Sequence, residues 1–568
     1  MSKPLKNPEL PPGAIVETYE DGGALRNDGV TLTPASQNPW YVLATVAGEQ
    51  EGKYYHQIDH DLHAKNRRFW NGWMCRAMED GERAALAEKL GLPEEELAPL
   101  TSEEIATVRA RFEAAFPDRA FKEVLPGPHE VADLHRVHFH NSFVCEKFRL
   151  FCLVNFEKAH FSNSAFFQEA HFEGGAEFQN AHFSGPAFFR EMHLPSLADF
   201  QEVCFNEGGY FQRVRFGRST FFQGAQFIEV ANFRDAQFFG DFLFYNVRVM
   251  GGAQFQGTRF TASSYFENSQ FNFKVCFSQA CFGEFTDFGK VNFNSGVEFL
   301  EAHFSGEADF REARFTGDAD FQETHFTGVA FFEEAHFAGD ADFREARFQK
   351  GTNFSDGSFK AKTVFDGAEF KGEVPEFFHR EMHQDTGFTD DPKLWPEVTV
   401  ENAKAGKRAY TRLRQVAAEI YDPDLEHFFL RQEMRCKARI EWDKGAWFHW
   451  LFFVLYRGIA DSGISVARPF WLLVFAWAFG VACFAGHFDS GVLPEMPEDI
   501  QDSRYWAAAG VSFGNLFGFL GINRLYFTEV LRDHSPDGLQ LVAGAQTVAG
   551  VVLLFFLGLG LRNRFRLK

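Results

Sequence analysis

The stretch Ala308 to Phe326, ADFREARFTGDADFQETHF, places its phenylalanines at Phe310, Phe315, Phe321 and Phe326, spaced alternately five and six residues apart. An α-helix repeats every 3.6 residues and a strand every 2, so neither generates this spacing. A coil that turns a corner every five or six residues does. Two positions before each phenylalanine sits a small residue, Ala308, Ala313, Ala319 or Thr324. In a short extended segment alternate side chains share a face. The pair small-x-Phe therefore points both ends inward, and the middle residue, such as Asp309, outward.

Outward from this stretch, the same alternation of large apolar residues runs from Leu134 to Phe370 without a slip. One series begins at Leu134 and Cys145 and is phenylalanine at every eleventh residue from Phe156 to Phe365. The other runs from Phe139 to Phe370 and departs from phenylalanine only at Leu150, Leu194 and Val249. Unbroken phase over so many units means each packs on its neighbours in one repeating geometry. Most of the 74 phenylalanines of the chain serve this ladder.

Residues 132–371 resemble the pentapeptide-repeat family, in the variant with phenylalanine at the centre and alternating five- and six-residue units. The resemblance implies a right-handed quadrilateral β-helix with 22 residues per coil, rising about 4.8 Å per coil into a rod roughly 50 Å long. Such a rod is a scaffold and demands no catalysis. His138, His160 and His182 lie 22 residues apart and stack on one face, as do His171 and His193; they read as a solvated surface column, the alternative being a pH-sensitive or metal-binding ladder. Some members of the family mimic duplex DNA, but Arg213, Arg215, Arg218, Arg311, Arg314, Arg344 and Arg347 interrupt any clean acidic face here.

The 78 acidic and 56 basic residues leave a net charge of −22, which argues against nucleic acid as a partner. Eight cysteines without a CxxC pair fit a reducing compartment. Residues 1–131 have no apolar run at their start and read as a small cytoplasmic α+β domain. Within it NPWYVLATVA (residues 38–47) reads as a strand, DHDLHAKNRRFWNGWM (residues 59–74) as a helix, and TSEEIATVRARFEAAF as a helix opened by a capping box from Thr101 to Glu104. His56, His60 and His63 beside Asp59 and Asp61 match no metal-ligand spacing and read as surface histidines. Neither a nucleophile-base arrangement nor a cofactor motif stands out, so the expectation is a non-enzyme without cofactor or bound metal.

Residues 372–399 read as an irregular connector and residues 400–460 as helix with a break at Asp422-Pro423, ending in WFHWLFFVLY (Trp447 to Tyr456), whose aromatics suit a membrane interface. In residues 461–568, Pro469 to Phe488 and Leu539 to Leu561 are each apolar and long enough to span. Arg457 and Arg468 precede the first and RNRFRLK follows the second, while acids crowd the intervening loop. The positive-inside rule then places both termini in the cytoplasm of a multi-pass inner (plasma) membrane protein.

Between the spans, Ser512 to Gly521 reads SFGNLFGFLG. Two spans with cytoplasmic termini leave residues 503–524 as a re-entrant segment of partly non-helical backbone. Helix, loop and helix resemble the pore module of two-span ion channels, as appended to many bacterial pentapeptide-repeat proteins. The resemblance implies a homotetramer conducting inorganic cations, with Gly514, Asn515, Gly518, Phe519 and Gly521 at the filter. There is no TVGYG, so potassium selectivity is not implied. Gln546 and Thr547 are expected to face water or a neighbouring subunit, Gly550 to act as a hinge, and Asp499, Asp502 and Asp533 to form an acidic outer mouth. The alternative reading of the glycines is close helix packing. The expected function is an oligomeric, weakly cation-selective membrane channel assembled or gated through the solenoid. The alternative is a membrane-anchored scaffold that recruits a partner.

Overall fold

A computed structural model describes residues 10–488, 504–527 and 536–564. The chain divides into two compact units, Met1–Pro396 and Glu397–Lys568.

In the first unit, strands of two to four residues stack into four sheets of 14, 12, 11 and 11 strands, forming a β-solenoid of about 12 turns. Register partners lie 22 residues apart, as in His160 with His182 and Phe161 with Phe183. Ala308, Phe310, Ala313 and Phe315 are all buried, as the small-x-Phe rule requires. Along most of the axis a ring lies parallel on the next, as Phe310 on Phe332 at 4.8 Å and Phe321 on Phe343 at 4.8 Å, while Phe244 tilts by 51° to Phe222 and by 52° to Phe266. Across the core the columns meet edge to face, Phe310 against Phe321 at 5.6 Å and 87°. That crossing matches the ring quadrupoles, so the aromatic core gains specific geometry as well as burial.

The middle residues are less exposed than alternation suggests. Asp309 is buried, and its carboxylate accepts from the Arg311 backbone N–H and side-chain Nε, each at 2.9 Å. Asp320 accepts from Gln322 N at 2.9 Å and Asp342 from Arg344 N at 2.9 Å. A short polar side chain at this point bonds the backbone two residues on and fixes the corner.

Every eleventh residue from Arg136 to Asp356 occupies the left-handed region, with glycine replacing a side chain only at Gly224 and Gly257. At Lys158 (φ 58°) the turn is closed by the Ala159 N–H to the Phe156 carbonyl at 2.9 Å. A non-glycine residue pays about 1–2 kcal/mol there, so stacking of neighbouring coils must hold the corner. At the other corner type the constraint is space: a Cβ on Gly306 or Gly328 would overlap the backbone of the preceding coil.

Both ends of the ladder are covered. NPWYVLATVA forms a helix, Pro39–Ala44, and not a strand, because the Asn38 side chain accepts from Trp40 N and Tyr41 N and Pro39 holds the first helical position. Tyr41 packs edge-on to Phe139 at 5.7 Å. The helices His60–Met74 and Ser102–Ala115 form as read, the second with its capping box. Beyond Lys371 the stretch read as a connector continues the columns. Phe377 stacks on Phe354 at 5.0 Å and Phe388 on Phe365 at 5.1 Å, and Trp395 packs tilted against Phe370 at 5.2 Å. The first two steps are one residue longer than a coil, which hides them from an eleven-residue count. Buried arginines serve each end: Arg26 donates to the carbonyls of Lys158 (2.9 Å) and Asn180 (2.8 Å), and Arg380 to those of Phe332 (2.7 Å) and Phe354.

The second unit is helical. Ala403–Glu419 and Pro423–Asp443 form a hairpin turned at Asp422, whose carboxylate accepts from Asp424 N and Leu425 N. Trp447–Ala460 follows, then the two long apolar helices Ala467–His487 and Asp537–Arg564, with Arg504–Leu516 and the short Ile522–Tyr526 between them in sequence. Ala507, Ala508 and Val511 pack with Phe484 and Phe488 in one cluster, and Leu516 with Leu473 and Leu553 in another. The two long helices have the length and composition to cross a membrane.

Candidate functional site

SFGNLFGFLG is more helical than its partly non-helical reading. Ser512 to Leu516 lie in the last turns of the helix Arg504–Leu516, followed by one tight turn at Gly518–Leu520. The helix survives Gly514 because that glycine is needed for space: a Cβ there would overlap the Asn523 side chain. Gly521 (φ 68°) then lets the chain reverse into the short helix Ile522–Tyr526.

The reversal places four uncharged polar side chains in one network within the apolar bundle. Gln546 is buried; its Nε2 donates to the Ala476 carbonyl at 2.8 Å and lies 2.8 Å from Ser512 Oγ. Ser512 Oγ donates to the Trp477 carbonyl at 2.8 Å. Asn515 Nδ2 donates to Gln546 Oε1 at 3.1 Å, and Asn523 Nδ2 donates to Asn515 Oδ1 at 2.6 Å. Among apolar helices an amide without a partner is costly, so each satisfies the next and the inserted helix is tied to both long ones. Gly480 leaves the room that Gln546 occupies, and Gly550 lets the Asp537–Arg564 helix touch the Leu516 carbonyl.

Asn515, read as a filter amide, and Gln546, read as facing water or a neighbouring subunit, are buried and bonded to each other within one chain. Gly550, read as a hinge, is a close-approach position against the Leu516 backbone. Thr547 is exposed, its hydroxyl bonded back to the Ala543 carbonyl at 2.9 Å, and Phe519 is 75% exposed. Gly518 has ordinary space around it. Asp499, Asp502 and Asp533 lie outside the described residues. Sequence reasoning passed over Ser512, Asn523 and Gly480. The available signal was an amide or hydroxyl recurring in otherwise apolar helices, which in lipid implies a partner.

Four histidine readings also change. His138, His160 and His182 do stack, but under the N-terminal segment and not in solvent. Burial lowers all three imidazole pKa values, His160 to about 2 and His182 to about 4. His63 is also buried, with Nε2 donating to the Glu146 carbonyl at 3.1 Å, and burial lowers it to about 4. Among the described residues no group of three or more His, Cys, Asp or Glu side chains is arranged to hold a metal ion.

A sequence-family profile, Pentapeptide repeats (9 copies), matches residues 153–193, 222–270, 277–335, 310–358 and 332–375. The solenoid is therefore built of pentapeptide repeats. No match to the chain was found among curated proteins or among solved structures.

Proposed function

We propose that the chain is the subunit of an oligomeric, weakly cation-selective channel of a bacterial inner membrane, assembled or gated through its pentapeptide-repeat solenoid. A homotetramer with cytoplasmic termini, no enzymatic activity and no nucleic-acid partner belongs to this reading. The observation that carries it is the helix Arg504–Leu516, bonded through the polar node to both long apolar helices. An anchor needs the two long helices alone. The outward sides of those helices bear Trp471, Phe475, Val548 and Phe555, each at least 65% exposed, a surface suited to lipid or to further copies. The helix Trp447–Ala460 presents Trp447, Phe448 and Phe452 outward while Tyr456 packs on Phe556 at 5.7 Å, which suits a membrane interface. With Asn515 and Gln546 held in the node, Gly518, Phe519 and Thr547 become the pore-facing candidates.

The self-satisfied node favours a second reading, a membrane-anchored scaffold whose solenoid recruits a partner. Recording from purified protein in planar bilayers separates the two. Cation-selective currents altered by Thr547→Val or Gly518→Val support the channel; an assembled oligomer silent across voltage and pH supports the scaffold.

A further inference from the structure

The stretch from Leu10 to Arg26 crosses the first coils over the imidazole column. His138 Nδ1 faces the Gly22 carbonyl at 2.7 Å, His160 Nδ1 the Gly13 carbonyl at 3.1 Å, and His182 Nδ1 the Pro12 carbonyl at 2.8 Å. A carbonyl only accepts, so each Nδ1 carries the proton. Each Nε2 is then an acceptor, facing Ser162 Oγ (2.9 Å), Ser184 Oγ (3.1 Å) and Asn206 Nδ2 (3.3 Å) respectively. All six ring nitrogens are thus used by the neutral form.

A second proton would turn the Ser162 and Ser184 hydroxyls from donors into acceptors, and at His182 it meets the Asn206 amide N–H head on. The His160 and His182 rings stack at 4.7 Å and His138 lies 5.8 Å from His160, so charging one disfavours the next. From the N-terminal segment the column faces buried Arg26, whose partner is Asp28 at 2.8 Å. From the solenoid it faces His140, 6.3 Å from His138, and Cys204, a thiol that burial pushes up to about 12. Among the described residues Asp28, just beyond the segment, is the carboxylate whose charge acts on His182, and the acids of the segment itself, Glu17, Glu20 and Asp21, are exposed.

We propose that the segment Leu10–Arg26 is a strap released by acid: protonation of the His138, His160 and His182 column opens it while the solenoid beneath stays folded. The sign follows from linkage. The buried rings take up a proton less readily than exposed ones, so the closed strap is fully favoured above the ordinary histidine pKa near 6.5 and loses stability as pH falls toward 4. The asymmetry between strap and solenoid is also structural. Two antiparallel pairings and one parallel pairing, Thr33 with Val137, hold the N-terminal strands, whereas each inner coil pairs on four sides both above and below.

Hydrogen–deuterium exchange of the full chain tests this, read by mass spectrometry and corrected for the intrinsic pH dependence. Between about pH 7.5 and pH 5, protection of residues 10–26 should fall on the order of tenfold or more per titrating histidine, with residues 222–358 unchanged. The His138→Gln, His160→Gln, His182→Gln triple variant should hold its strap protection across the range, because Gln226 and Gln270 already occupy this column. A wild-type strap that stays protected at low pH, or a triple variant that opens as the wild type does, overturns the proposal. Should the triple variant fail to fold, His182→Gln alone should shift the opening midpoint to lower pH, and an unshifted midpoint overturns it equally.

Discussion

Asn515 and Gln546 meet amide to amide at 3.1 Å, between a helix that reads as a pore segment and one long enough to span a bilayer. Each is buried. This pair gives the membrane unit a coupling that double-mutant analysis can measure. Gln546→Leu leaves Asn515 and Ser512 short of a partner and should destabilise the unit by about 1–2 kcal/mol in detergent unfolding. Asn515→Leu in the Gln546→Leu background should cost less than it does alone. Strictly additive effects would mean the bond contributes nothing.

In the solenoid, Phe310→Ala removes a ring from a parallel stack and should cost about 3–5 kcal/mol. Asp309→Ala loses a corner bond and should cost about 1 kcal/mol, an intermediate effect that simple alternation does not anticipate. Thr327→Ala, at an exposed position, should stay within about 0.5 kcal/mol. Chemical denaturation of the three variants should rank them in that order; Asp309→Ala indistinguishable from Phe310→Ala would refute the inward assignment.

Glu323 tests the corners, since it holds φ at 55°. A β-branched residue fits that region poorly, so Glu323→Val should lower stability by about 1–2 kcal/mol, while Glu323→Gly should lie near wild type. Comparable melting points for the two variants would show that the neighbouring coils absorb the strain.

His63 carries a pH dependence of its own. Its imidazole is held near 4, below the unfolded value, so its contribution is complete above about pH 6.5 and declines as pH falls toward 4. Replacing it with glutamine should flatten the acid limb of the stability curve. An unchanged slope removes His63 as the source.

The proposed topology places the loop after the first long helix outside. A reporter fused after Lys568 should read as cytoplasmic, and Asp499→Cys should label on intact cells. Labelling only after permeabilisation overturns the arrangement.

The ladder could be read from sequence because every coil repeats one decision: Phe310, Phe321 and Phe332 are the same choice made again. Where the chain makes a decision once, the reading weakened. NPWYVLATVA has strand-forming residues, but Asn38 and Pro39 set a helix start, and local caps outweighed composition. The histidine column has the right register, yet nothing in its spacing announces a cover arriving from residues 10–26. Phe377 and Phe388 were missed because one extra residue breaks the count without breaking the stack. In the membrane unit, Asn515 and Gln546 were singled out for their chemistry, but which polar group answers another depends on helix rotation. Hydropathy does not encode that.

The left-handed corner at every eleventh residue makes the solenoid a ruler with fixed graduations. Loss of Ala308 alone puts the side chains that follow out of phase, whereas excision of Ala308 through Val329 removes two graduations, one whole coil, and rejoins equivalent neighbours. Length can therefore change by about 4.8 Å steps without redesign of the core. Only the final coil, with no full turn stacked beyond it, accommodates a fractional step, and there the spacing from Phe354 to Phe377 already departs from the rule.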